Sequence, residues 1–295
     1  MGSEMCIRDR PITEPAPATW PAELALGFRS TPRGVVLHRN RHKGPLYVQK
    51  PFYPEGRDLA HVYLLHPPGG IVSGDHLQIS IELEPKSRAL ITTPGAGRVY
   101  RARADKSLQQ QQIHLQVAAG ASLEWLPQET IIYSGAHTHL KTQIELEEGA
   151  QCVSWEVTCL GLLASQAPFR EGALLQQLEC RLGGRPLLRE SLHLDQDRMR
   201  LLTSRAGLAG QPVTGLMFAG PFREISTELL DGLRQRCSLV AEPAMAAVTE
   251  LHHCLVVRYL GPSAEQARRL FTDCWQQLRP ELLERQACQP RIWAT

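Results

Sequence analysis

No stretch of the form G-x-x-x-x-G-K-[ST] occurs in the 295 residues, so the chain lacks the glycine-rich cradle and lysine that hold nucleotide phosphates. G-x-G-x-x-G is missing too: "PPGGIVSGD" has a different spacing and leads into strand-like sequence rather than a helix. No G-x-S-x-G elbow and no H-E-x-x-H zinc helix is present. The eight cysteines never fall as C-x-x-C, which argues against a zinc ribbon or a thioredoxin-type redox pair. They read as reduced, mostly buried thiols of a cytoplasmic protein. Net charge is only +2, from 32 basic and 30 acidic side chains, so nothing in the bulk electrostatics calls for nucleic acid or an anionic membrane. No apolar run approaches the ~18 residues of a membrane span. "MGSEMCIRDR" has no apolar signal-peptide core, and Cys6 stands where a myristoylation motif requires Ser or Thr.

What the chain does have is period-two patterning. Leu77, Ile79, Ile81 and Leu83 alternate with polar residues, as do Ile113, Leu115 and Val117, and then Leu140, Thr142, Ile144 and Leu146. Each run ends in a turn ("EPKS", "AAGA", "EEGA") and is followed by a second apolar strand ("RALITT", "SLEWLP", "CVSWEV"). Ile81, Ile113 and Ile144 mark a spacing of about 31 residues, which predicts repeated hairpins stacked in layers. The expected fold is therefore mainly β, with stacked sheets and a few helices in the C-terminal third. Residues 1–19, rich in proline, are expected to be a flexible leader; 20–295 form one domain, β-rich over 20–222 and mixed α and β over 223–295. "STELLDGLRQRC" puts Leu229, Leu230 and Leu233 on one helical face behind a Ser226 or Thr227 cap. Ser263 and Gln266 have capping-box spacing before Ala267, Leu270, Phe271, Cys274 and Leu278, which predicts the longest helix there.

Three stretches draw attention as candidate sites. "HPPGGIVSGD", His66 to Asp75, combines Pro67 and Pro68 with Gly69, Gly70 and Gly74 between a histidine and an aspartate. It reads either as a stiff turn whose aspartate is satisfied by backbone N–H groups, or as a positioned carboxylate that meets a cation. His137 and His139 lie two apart, so on a strand both face one way, as ligands of one metal or as a solvated face. "RVYRARADK" places Arg98, Arg101 and further cations around Tyr100, either as a solvated loop or as a contact for an acidic protein partner.

Taken together, "GPLYVQKPFYPEG", "HVYLLHPPGGIVSGD", "LITTPGAGRVYR", "LEWLPQETIIYSGA", "PLLRESLHL" and "QPRIW" resemble the urease accessory protein UreD (UreH) family, over nearly the whole chain from about Trp20. The resemblance implies a scaffold without catalytic activity of its own. It implies binding of urease apoprotein and of UreF-type and UreG-type partners, the latter a GTPase, and assistance with nickel insertion. It implies no stably bound cofactor, only transient nickel, and a cytoplasmic location. Asp75 matches an acidic position in the family's internal polar passage, with His66 as a neighbour; His137 and His139 are further candidate contacts for passing nickel. Pro67, Pro68, Gly69, Gly70 and Gly74 match the family's hallmark loop, with Arg98, Tyr100 and Arg101 beside it. A nickel carrier or store acting alone is the competing reading. One segment departs from the family's L-G-R-x-x-x-G-E-x-F pattern: Leu162, Gln166 and Ala167 stand for its arginine, glycine and glutamate, which puts in doubt any contact made by that loop.

Overall fold

The computed structural model describes residues 19–294; the expected leader lies outside them except for Thr19. In chain order the strands begin with β1 (Trp20–Thr31), β2 (Gly34–Lys43), β3 (Tyr47–Val48), β4 (Ala60–Leu65), β5 (Asp75–Leu83), β6 (Arg88–Thr92), β7 (Gly97–Val99), β8 (Gln109–Val117) and β9 (Ser122–Trp125). They continue with β10 (Thr130–Ile132), β11 (His137–Leu146), β12 (Gln151–Leu162), β13 (Ala167–Pro168), β14 (Ala173–Leu182), β15 (Arg185–Leu194), β16 (Val213–Gly220), β17 (Met245–Leu251) and β18 (Cys254–Gly261). Two helices, α1 (Thr227–Ser238) and α2 (Ala264–Leu283), lie in the C-terminal part. No helix among the described residues is long and apolar enough to cross a membrane.

The strands form two sheets, as the mainly β reading expects. The first has the order β15-β14-β11-β8-β5-β1-β2, and the second runs β17-β18-β16-β12-β9-β6-β4-β3. The repeat differs from a hairpin in one respect. Within each unit the chain crosses between sheets: β5, β8 and β11 lie in the first, β6, β9 and β12 in the second. Successive units then pair in parallel, Ile81 opposite Leu115 and Leu115 opposite Ile144. An arch rather than a hairpin follows because both strands of a unit aim their apolar residues at the same space between the sheets. Leu77, Ile79, Ile81, Leu115, Val117, Ile144 and Leu146 are buried there against Ala89, Ile91, Leu123 and Trp125. The outer face of the first sheet carries Gln78, Gln112 and Gln116, all exposed, which is why alternation was so clean in the sequence.

A second core lies between the other sheet and the helices. Alternate residues of β12 divide between the two: Cys152 and Leu160 join the inter-sheet core, while Val153, Trp155, Val157 and Cys159 pack under α2. Ser263 caps α2 by accepting the Gln266 N–H at 3.2 Å, and Ser226 caps α1 by accepting the Leu229 N–H at 3.0 Å. The capping box is only half made, since the Gln266 side chain instead accepts from the Tyr259 hydroxyl at 2.8 Å. The tail "QPRIW" docks through Trp293, whose indole donates to Thr92 Oγ1 at 2.9 Å and packs against Trp155 and Trp275. Cys152, Cys159, Cys180, Cys237, Cys254 and Cys274 are free and buried. Burial pushes the thiols of Cys159 and Cys254 up to about 12, so they stay protonated and inert at neutral pH.

Candidate functional site

"HPPGGIVSGD" carries the chain from β4 in one sheet to β5 in the other, across the end where the parallel strands begin. Its first turn is closed by the Gly69 N–H donating to the His66 carbonyl at 3.0 Å, and Gly69 adopts φ +76. Gly70 meets a different requirement: a Cβ there would lie 2.3 Å from the Tyr100 ring. The following residue, Ile71, is strapped to "RVYR" by Ile71 N–H to Arg98 O at 2.8 Å and Tyr100 N–H to Ile71 O at 3.0 Å. Gln109, fully buried, ties these segments together. Its amide donates to the carbonyls of Ile71 and Tyr100 at 3.0 and 2.8 Å, and its side-chain oxygen accepts the His137 N–H at 2.9 Å. Tyr100 thus braces this loop, and Arg98 stands beside Gly69.

Asp75 closes the second turn. Its carboxylate accepts the Val72 N–H at 2.8 Å while its own N–H donates to the Val72 carbonyl at 3.0 Å. His66 is near enough for the Asp75 charge to act on it, but burial dominates and holds its imidazole below the ordinary range. Neither residue lines the cavities described below. Loss of the turn contact in Asp75→Ala is expected to cost about 1–2 kcal/mol of stability, measurable by thermal unfolding. An unchanged melting temperature would leave the carboxylate free for another role.

His137 and His139 share the outer, solvent-side face of the first sheet, as their spacing predicts, but each engages a different neighbour. His137 Nδ1 faces the Lys106 carbonyl at 2.5 Å and His139 Nε2 faces Gln177 Oε1 at 3.1 Å. Among the described residues no group of three or more His, Cys, Asp or Glu side chains is arranged to hold a metal ion. Arg101 pairs with Glu171 on the surface, both largely exposed.

The chemistry that the sheets enclose lies elsewhere. Between them a cavity of about 410 Å³ extends from β14 and β15 to β16, β17 and β18, and a smaller one of about 100 Å³ reaches under β8 and β11. Glu156, Thr158 and Gln176 line both, so the Glu156 carboxyl stands where the two meet. Thr142 Oγ1 donates to it at 2.5 Å and Gln176 Nε2 at 2.8 Å; Gln176 is itself held by the Thr158 hydroxyl at 2.9 Å. Burial, opposed by these two hydrogen bonds, pushes the carboxyl above the ordinary range. A second carboxylate, Glu190 on β15, lines the larger cavity and is ion-paired with Arg258 of β18. The two acidic groups thus line one open pocket between the sheets, the first hydrogen-bonded by Thr142 and Gln176 and the second paired with Arg258.

The family described as "UreD urease accessory protein" matches residues 21–294. The chain belongs to the UreD family. Three relatives titled "Urease accessory protein UreD" agree with this. The protein of Marinomonas sp. (strain MWYL1) is 48% identical over 98% of this chain and 94% of its own length. That of Psychromonas ingrahamii is 42% identical over 98% of both chains, and that of Methylobacillus flagellatus 40% over 94% of this chain and 95% of its own.

Within this UreD chain, sequence reasoning overlooked Glu156, Glu190 and Gln109. A signal existed for the first. On β12 the side facing the first sheet reads Cys152, Ser154, Glu156, Thr158, a polar stripe inside an otherwise apolar strand. The departing loop also gains a local explanation. Gln166 adopts φ +53 and ψ +32, the left-handed region that glycine fills at less cost.

Proposed function

We propose that this chain is a urease maturation scaffold. It binds urease apoprotein together with UreF-type and UreG-type partners, and nickel, as cargo, passes through the space between its sheets. The observation that carries the reading is the Glu156 carboxyl at the junction of the two inter-sheet cavities, with Glu190 further along the larger one. A buried carboxylic acid loses its proton to solvent as a divalent cation binds its oxygens, and takes a proton back from solvent when the ion moves on. Such coordination is weak and exchangeable, as transit requires. Thr142, Gln176 and Thr158 hold the carboxyl in place so that it need not reorganise at each passage. Guanosine triphosphate hydrolysis belongs to a partner, since this chain has no phosphate-binding loop. A cytoplasmic location is part of the proposal and fits the free, protonated thiols.

Co-expression with urease subunits and the accessory partners tests it. The chain is expected to co-purify with apo-urease, and its omission is expected to leave urease assembled but poor in nickel. Full nickel content in its absence would overturn the proposal. A nickel store acting alone would hold the ion far more tightly in equilibrium dialysis of the isolated chain than a conduit does.

A further inference from the structure

The parallel strands of the first sheet begin in register, and their starting ends form one continuous strip. Trp20 stands opposite Asp75, His76 opposite Gln110, Thr138 opposite Gln109 and His137 opposite Ala173. Adjacent strands are about 4.8 Å apart, so the strip from β1 to β14 is roughly 20 Å long, the scale of a protein contact. Its composition is uneven. At the β1 end three large apolar side chains are exposed within one hydrogen-bonded patch: Trp20 at 61%, Val72 at 46% and Leu108 at 37%. The Trp20 N–H donates to the Gly74 carbonyl and the Gly74 N–H to the Leu108 carbonyl, which fixes their proximity. Towards β14 the strip sinks into a concavity of about 560 Å³ lined by Arg101, Arg103, Lys106 and Arg170, with His137 at its wall. Two carboxylates face these cations: Glu171 pairs with Arg101, and Asp105 lies 3.5 Å from Arg103. Lys106 and Arg170 make no ion pair among the described residues.

We infer that this strip is a docking surface for an acidic segment of a protein partner, anchored by Trp20 and read by the cationic concavity. An exposed tryptophan on the same strip as arginines is a composition that protein contacts favour, and the surplus positive charge of Lys106 and Arg170 selects an acidic occupant. The chain's own residues 1–18 do not supply one: Glu4, Asp9 and Glu14 are offset by Arg8 and Arg10. The braced hallmark loop then acts as the rigid floor of the contact, since Ser73 Oγ accepts the Arg103 N–H at 2.8 Å.

The inference rests on the scaffold reading, and the test separates the two. The full chain is co-expressed with urease and the accessory partners, and complex recovery is measured against salt for wild type, Lys106→Glu/Arg170→Glu, Trp20→Ala and a distant control, Arg33→Glu. The double variant is expected to lose about ten-fold in recovery at low salt and most of its salt dependence, with an unchanged melting temperature. Trp20→Ala is expected to lose recovery at every salt concentration, and Arg33→Glu to match wild type. Equal recovery from the double variant and wild type, or equal loss from Arg33→Glu, overturns the docking surface. Co-sedimentation with phosphatidylserine vesicles that the double variant abolishes would also overturn it, in favour of a lipid surface. No complex even with wild type would overturn the scaffold reading itself.

Discussion

Arg279→Met is expected to lower the unfolding free energy by about 3–5 kcal/mol, the usual cost of removing one member of a buried charge cluster. Arg279 lies on α2 with no solvent exposure. It donates to both oxygens of Glu55, at 2.7 and 2.8 Å, and to both of Glu124, at 3.0 Å each. The Trp275 indole completes Glu124 at 2.6 Å, and His61 Nε2 faces Glu55 at 2.7 Å. Methionine fills the volume but leaves two carboxylates enclosed without their shared cation. Lysine is expected to rescue little, because a single ammonium cannot present two parallel pairs of N–H donors. Urea unfolding followed by circular dichroism checks this, and a loss under about 1 kcal/mol would mean the cluster is relaxed or hydrated.

The same cluster contributes to the acid sensitivity of the fold. Burial alone would raise the Glu55 carboxyl, but hydrogen bonds from His61 and Arg279, with their charges, outweigh it and hold the group at about 2. A carboxylate depressed in the folded state adds stability that is complete above its unfolded value. That stability is lost as pH falls from the ordinary range through about 2. Stability is therefore expected to fall most steeply with acid below about pH 4.5, and Arg279→Met to flatten that dependence.

What could be read from the sequence was what short-range pattern determines. Alternation along β5, β8 and β11 marked buried strands because every second residue faces the same inter-sheet core. Ser263 announced α2 because a cap acts within one turn. That the strands were arches rather than hairpins was not legible, since both arrangements demand the same alternation and differ only in which sheet receives the second strand. Pairings across the chain were equally hidden. Glu55 and Arg279 are 224 residues apart, and Glu124 is 155 from Arg279, so nothing local announces their meeting. Asp75 looked like a candidate ligand because it stands in a rigid glycine-rich loop, but the same rigidity serves a turn that its carboxylate closes. Glu156 was passed over because its strand looked like pure core.

Glu156→Gln is expected to leave the fold intact or slightly more stable, yet cut the nickel content of co-expressed urease by about ten-fold. The geometry makes the substitution nearly isosteric: the new amide oxygen accepts from Gln176, and the Thr142 hydroxyl turns to accept from the new amide nitrogen. The sign of the stability effect follows from the raised carboxyl. Below its unfolded value the acid is protonated in both states, so it imposes no penalty. As pH rises through that value the unfolded chain releases its proton while the folded chain keeps it, and stability falls until the folded group also ionises. Glutamine has no proton to release, so the variant is expected to lack this downward slope and to gain stability above the unfolded value. The loss of nickel has a different origin. A contact with a charged group contributes about 1.5–3 kcal/mol, and on the proposed path removing the carboxylate from the junction of the two cavities is expected to raise the barrier to transit by an amount of that order, roughly ten-fold or more. On the proposed path arriving nickel displaces a proton, so loading through the wild-type chain is expected to improve as pH rises through the carboxyl's elevated range, and loading through the variant to stay low throughout. Metal analysis of purified urease, set beside thermal melts of both chains across pH, separates these effects. A variant that is more stable but loads urease as well as wild type would remove Glu156 from the path and leave it as a polar residue tolerated between two sheets.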